Sequence, residues 1–390
     1  MSDLQATPLR KHWWQRIPAA WRLAFIFWLG MRLLLWVLGA LLFTSGLLTV
    51  GAPLTYGVET LTRGWQGALF GVWTHWDAIY YDAIVSGGYH ALPQLSAFFP
   101  LYPLLAKPFT WLGIHPAIAL TLVSNLSFLF ALGLFLEEVE RLLGRDYWVP
   151  AGLAILFFPT SFYFYAPYPH SLALFFVLLA WKLARQEKWL ACAGVGLLLG
   201  LTHSSVIPVV IVLLVMVIRW LAHSPGRLHW AAMAVPFMPL AGVAMFLSWR
   251  IWAGFSNFGA LQYRYWQTEF LGPLKVISQL IYQLFHGRTL AIFAVILLCI
   301  ALLALAWCLR KKLYLQAIYL GSLLLFLISF TMPNVPLGSF NRLVLIGFPI
   351  YLAMAAWMKS SRWAYRLILV GSGVLYFIMG FAYLSWLWVA

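Results

Sequence analysis

Acidic side chains are scarce in this sequence, so each one can be accounted for: 10 Asp and Glu stand against 25 Lys and Arg in 390 residues. Asp3 lies in a basic amino-terminal stretch. Glu137, Glu138, Glu140 and Asp146 surround Arg141 and Arg145, and Glu187 sits between Arg185 and Lys188. Helix-spaced ion pairing accounts for those. Four acids are left over: Glu59, Asp77, Asp82 and Glu269. Two of them share residues 75–105, which read HWDAIYYDAIVSGGYH, ALPQLS and AFFPLYPLL. This is the one long polar-aromatic stretch in an otherwise apolar chain.

A helix over about 76–86 would place Tyr80 and Tyr81 on the face of Asp77 and turn Asp82 about 140° away. The two aspartates are therefore not expected to form a facing carboxylate pair of the glycosidase kind. One carboxylate is enough for an inverting displacement, in which a base takes the acceptor hydroxyl proton while the leaving group departs from the opposite face. The plainer reading is that Asp77 caps the helix, and spacing does not separate the two.

The cations near that side of the chain are Arg342, in GSFNRLVLIGFP, with Lys107, Arg264 and His203. A phosphate leaving group departs more easily when Arg or Lys meets its charge in a low-dielectric site. The plainer alternative for Arg342, and the better one for Arg264 and Lys107, is a long side chain snorkelling to lipid headgroups. His170 and His203 fall at the ends of apolar runs, where a lone histidine is more often a hydrogen-bonded filler than a catalyst. The 9 histidines show no HxxxH or HxH spacing, so no metal site is expected. Cys192, Cys299 and Cys308 lie inside apolar runs and make neither a ligand set nor a disulfide framework.

The elements that must hold these residues are membrane spans. The chain is 64% hydrophobic and 9% charged, where a soluble domain carries about 25% charge. Apolar runs of about 20 residues recur throughout, without the alternation a membrane barrel needs. The net charge of +15 falls in short clusters between runs, which excludes a nucleic-acid face and reads as a topology signal. The first run, about 23–48, carries Arg32, is too long for a signal peptide and lacks a cleavage site. Further spans are expected at about 117–137, 148–165, 170–185, 190–203, 205–221, 230–253, 288–309, 313–331, 342–358 and 366–388.

Arg141/Arg145, Arg185/Lys188, Arg219/Arg227, Arg310–Lys312 and Lys359/Arg362/Arg366 mark cytoplasmic turns, as do Arg10, Lys11, Arg16 and Arg22 at the start. Residues 49–97 are then exterior, with interfacial helices at about 58–70 and 76–86, as are the turns 160–170, 201–206, 254–287 and 331–342. The second half of 254–287 carries Leu274, Ile277, Leu280, Ile281, Leu284 and Phe285 at helical spacing, as in an interfacial amphipathic helix. The segment 98–114, with Pro100, Pro103 and Pro108, is either re-entrant or a span. Most of the 22 tryptophans read as interfacial belt.

HWDAIYYDAIVSGGY (75–89) followed by AFFPLYPLL (97–105) resembles the PIG-V family of GPI mannosyltransferase 2 and its bacterial relatives. The shared pattern falls here on Trp76, Asp77, Tyr81, Ile84, Gly88, Tyr89 and the run Phe98–Pro103. FFPTSFYF (157–164) and NRLVLIGFPIY (341–351) are weaker matches, the latter similar to that family's late Arg-containing segment. The chain departs at Tyr168–Pro169–His170–Ser171, where the family usually has a Glu, and at Thr202–His203, where it often has an Arg. Both departures replace a full charge with an imidazole.

The resemblance implies one all-α polytopic membrane domain over 1–390, a GT-C-type bundle of about 11–12 membrane segments. It implies a glycosyltransferase that moves mannose or a related hexose, with inversion, from a polyprenyl phosphate carrier such as dolichyl or undecaprenyl phosphate mannose. The acceptor would be a glycan or glycolipid outside the cytoplasm, and no metal or other cofactor would be needed. Asp77 would be the base and Arg342 a donor-phosphate contact. His75, Trp76, Tyr81, Asp82, His170, His203 and Arg264 would complete the substrate site. A bacterial cytoplasmic membrane is favoured over the endoplasmic reticulum. The rival readings are a lipid or lipid-linked sugar flippase, with Arg32, Lys107 and Arg342 along an anion path, and an inactive subunit that keeps the fold.

Overall fold

The computed structural model describes residues 13–48, 61–223, 230–332 and 335–389. Glu59 and the start of the expected 58–70 helix lie outside them. The principal helices are α1 (Ala19–Thr44), α2 (Asp77–Gly87), α3 (Leu101–Trp111), α4 (Pro116–Leu143), α5 (Trp148–Leu156), α6 (His170–Arg185), α7 (Trp189–Gly200) and α8 (Val209–His223). They continue with α9 (Met238–Trp252), α10 (Phe258–Trp266), α11 (Pro273–Phe285), α12 (Thr289–Arg310), α13 (Tyr314–Leu327), α14 (Phe340–Leu343), α15 (Pro349–Ser360) and α16 (Arg362–Leu384).

The chain is a polytopic membrane protein. Among the described residues six helices are long and apolar enough to cross a bilayer, or seven if the bent pair 340–346 and 349–360 is one span. That is fewer than the 11–12 segments expected, and the reason lies in broken apolar runs. The run 148–165 yields only the 9 residues of α5, because Pro159 and the 3₁₀ turn at Ser161–Phe164 interrupt it. α7 and α13 have 12 and 14 residues. α3 has 11, with Pro108 inside it, so it rises about 16 Å, roughly half a hydrocarbon core.

α4 is the axis of the bundle. Pro116 at its first turn and the His115 side chain accepting Ala117 N–H start it, and Gly144 at φ 100° ends it, each device matching the terminus it occupies. It packs against α1, α3 and α6. α7 and α9 cross where Gly200 faces Gly242; a Cβ on either would run into the backbone of the other helix, the small-residue contact that lets membrane helices approach closely.

Charge separates the two ends of α4. At one end Glu138 is buried and accepts from Arg141 at 2.7 and 3.0 Å and pairs with Arg185 at 3.0 Å. Glu137 accepts from Lys182 at 2.6 Å and from Trp21 at 2.8 Å, and Arg145 meets Glu140 at 2.6 Å. Lys359 lies over Tyr147 nearby. At the other end Ser124 donates to Tyr168 O at 2.9 Å, about 21 Å of helix rise from Glu138. The turns 165–170, 201–206, 254–270 and 338–343 gather there. The expected exterior turns thus share one end and the basic clusters at 141–145, 185 and 359 the other.

Three short antiparallel strands, unforeseen in the sequence, tie that end together: β1 (Glu269–Phe270), β2 (Phe330–Met332) and β3 (Val335–Pro336) in the order β1-β2-β3, with Phe270 opposite Phe330. The amphipathic helix expected in 254–287 is α11, with Val276 and Leu280 buried and Leu274 and Phe285 exposed.

Candidate active site

A cavity of about 350 Å³ opens at the end of the bundle opposite the basic clusters, a volume suited to one small ligand. Its polar wall includes Asp77, Tyr81, Tyr168, His170, His203 and Arg342, and its aromatic wall Phe98, Phe99, Phe258 and Trp266. Five residues singled out in the sequence therefore meet in one place: Asp77, Tyr81, His170, His203 and Arg342.

Asp77 is the first residue of α2, at the end where backbone N–H groups face outward and favour an anion. Its Oδ2 is in contact with Arg342 Nη1, both side chains being 11% exposed. Arg342 sits in the four-residue helix α14. Its Nη2 donates to Ser339 Oγ at 3.1 Å, its guanidinium lies over the rings of Tyr168 and Trp388 at 5.7 and 5.9 Å, and its Nε has no partner. Neighbouring Asn341 fixes the turn: its carbonyl accepts from Thr160 and its amide donates to Val389 O at 3.1 Å.

Both halves of this pair are entered through strained backbone. Trp76, at φ 55° and ψ −122°, precedes Asp77, and Ser339, at φ 66°, precedes α14. Each is a left-handed position without glycine, of the kind that costs on the order of 1–3 kcal/mol and persists where surrounding contacts enforce it. Those contacts are visible. Trp76 packs on Trp386 and Trp388 at 5.8 and 5.2 Å, and His75 stacks on Trp386 at 3.9 Å. Tyr168 donates to His75 O at 2.8 Å and Tyr383 to Trp73 O at 2.8 Å.

His75 and Trp76 are thus placed behind Asp77, among packing residues, and neither lines the cavity. His75 Nδ1 donates to Tyr383 O at 2.9 Å, and burial pushes its imidazole down to about 4 while that hydrogen bond works the other way. Asp82 points elsewhere, as the helical phase required, and its Oδ1 accepts from Ser86 at 3.2 Å. Burial pushes the Asp82 carboxyl up to about 7 against that bond. Arg264 is exposed over Tyr265 and does not line the cavity. Lys107 is spent on Val85 O at 2.5 Å. Arg32 is buried in α1, on Tyr165 O at 3.3 Å and over Trp36, so of Arg32, Lys107 and Arg342 it is Arg342 that lines the cavity.

Several contributors went unread. Trp386 and Trp388 brace the Asp77 turn, but in a tryptophan-rich chain their types carry no signal. Arg250 clamps Ser96 through its carbonyl at 2.6 Å and its hydroxyl at 3.3 Å, and also Ser256 O at 3.0 Å; a charge within an apolar run was its available signal. Gln262 and Trp266 come from α10 and complete the cavity's far wall. Among the described residues no three His, Cys, Asp or Glu side chains converge on a metal-sized site. Comparison with family models, curated proteins and solved structures gives no match to this chain.

Proposed function

We propose that the protein is a membrane-embedded glycosyltransferase that moves a hexose, in the first instance mannose, from a polyprenyl phosphate carrier to a glycan or glycolipid acceptor, with inversion. The observation that carries this reading is the Asp77–Arg342 pair on the wall of a cavity lined by aromatic and hydrogen-bonding side chains. A carboxylate base, a cation for a phosphate and rings for a sugar face are the parts such a transfer needs. The resemblance of residues 75–105 to a mannosyltransferase family supports the same assignment.

In this mechanism the acceptor oxygen attacks the anomeric carbon as its proton passes to an Asp77 carboxylate oxygen. The bond from that carbon to the phosphate oxygen breaks, and polyprenyl phosphate leaves with the electron pair. Arg342 has two tasks. At rest it holds the Asp77 carboxylate. When the donor phosphate enters, it competes for the same guanidinium, whose Nε is still unpartnered, and its arrival frees Asp77 to take the proton. The cavity lies at the bundle end away from the basic clusters, which under the positive-inside rule is the non-cytoplasmic face.

The purified protein, in vesicles containing polyprenyl phosphate mannose and an extract of membrane glycolipids, should release polyprenyl phosphate in an acceptor-dependent manner. The new linkage should be inverted, and a chelator should leave the rate unchanged. Absence of donor consumption with every acceptor fraction would remove the reading.

A further inference from the structure

Two imidazoles on the cavity wall have hydrogen-bonding capacity that the protein does not use. His170 is 4% exposed, lines the cavity, and has no partner for either ring nitrogen. His203 is half used: its Nδ1 accepts the Ser205 N–H at 3.0 Å. That bond makes Nδ1 the bare nitrogen and leaves Nε2–H as a donor, so the ring is the uncharged Nε2 tautomer. The two rings lie 6.2 Å apart. Phe99 stacks beside His203 at 6.1 Å, and Tyr163 and Tyr168 flank His170 at 5.9 and 5.7 Å.

The chemistry of the ligand follows from that capacity. An uncharged imidazole offers one donor and one acceptor, and so does a hydroxyl, so the two satisfy each other in either direction. A phosphate oxygen only accepts and would leave every bare imidazole nitrogen unmet. The cavity already holds a guanidinium for an anion, on Arg342. The aromatic rings beside the imidazoles suit the apolar face of a pyranose.

We propose that His170 and His203 form a hydroxyl-recognition subsite for an uncharged hexose, distinct in task from Arg342 on the same cavity. The naming of a hexose rests on the transfer reading above; the preference for hydroxyl over phosphate does not.

Full-length protein in phosphatidylcholine nanodiscs can be titrated with hexyl α-D-mannoside, hexyl β-D-glucoside and hexyl phosphate, following tryptophan emission, since Trp266 lines the cavity. His203→Asn keeps an acceptor where Nδ1 stands, and so the Ser205 turn, but loses Nε2–H. His170→Phe keeps the ring and loses both nitrogens. Each should weaken binding of at least one hexoside by roughly tenfold, about one to two lost hydrogen bonds, and change hexyl phosphate by less than about twofold. His203→Gln, which restores an amide near Nε2, should recover most of the loss. His170→Phe should also raise the unfolding temperature, because it removes two unpartnered buried nitrogens; a histidine that merely fills space would show that gain without the binding loss.

The proposal is overturned if the parent binds neither hexoside, if the variants weaken hexyl phosphate equally, or if hexoside binding is unchanged. Histidine-dependent hexoside binding without any consumption of polyprenyl phosphate mannose would uphold the subsite and sink the transfer reading. Transfer by a parent that binds neither hexoside would do the reverse.

Discussion

Removing one charge from the Asp77–Arg342 pair leaves the other facing protein with nothing opposite it. Both side chains are 11% exposed and in direct contact, so each single neutralisation, Asp77→Asn or Arg342→Gln, should cost roughly 3–5 kcal/mol. Asp77→Asn belongs at the lower end, because Arg342 keeps Ser339 Oγ and the faces of Tyr168 and Trp388. The double variant removes both charges and keeps amides that can bond each other. It should be no less stable than the worse single, which gives a coupling energy of at least the milder single's cost, about 3 kcal/mol. Unfolding of all four proteins by denaturant in one detergent, followed by tryptophan emission, measures this cycle. Losses that simply sum in the double variant, or two silent singles, would show that the pair is not coupled and that Arg342 does not hold Asp77.

Other consequences are open to direct measurement. Asp82 is buried and its carboxyl is pushed up to about 7 from an ordinary 3.8, so the folded state holds a proton that the unfolded chain releases between those values. Its contribution is fully present below about pH 4 and is lost as pH rises through about 7. Asp82→Asn should therefore gain on the parent by up to a few kcal/mol between about pH 5 and 8, and parallel stability curves across that range would contradict this. Glu138 is 3% exposed and serves Arg141 and Arg185. Because the arginines reach solvent, Glu138→Ala should cost only about 1–3 kcal/mol, read as a lower unfolding midpoint with ligand binding intact; a change confined to binding would point to a link with the distant cavity.

The residues that could do chemistry were legible because charge is rare here. Elimination left four acids, two of them in the 75–105 stretch, and the family resemblance singled out Asp77; the alternation of basic turns put His170, His203 and Arg342 on its side of the bundle, where the structure brings all four to one cavity. The helical phase also separated Asp82 from Asp77. Span lengths were harder to read. Hydropathy measures an apolar run, not where its hydrogen-bond ladder breaks, so 148–165 read as a span although Pro159 and a 3₁₀ turn divide it. The bracing by Trp386 and Trp388 was hidden because belt tryptophans and packing tryptophans look alike in sequence. Arg250 carried a signal all the same: a guanidinium in an apolar helix has to be satisfied, and it is satisfied by Ser96 and Ser256 while lying over Phe258, a residue of the cavity wall.

The measurement that bears most directly on the central claim is the rate of hexose transfer from polyprenyl phosphate mannose by Asp77→Asn, set against donor binding by the same folded preparation. If the Asp77 carboxylate takes the acceptor's proton, transfer should fall by roughly 10²–10⁴-fold while donor affinity holds or rises, since Arg342 is then free for the phosphate. Transfer at the parent's rate would contradict it.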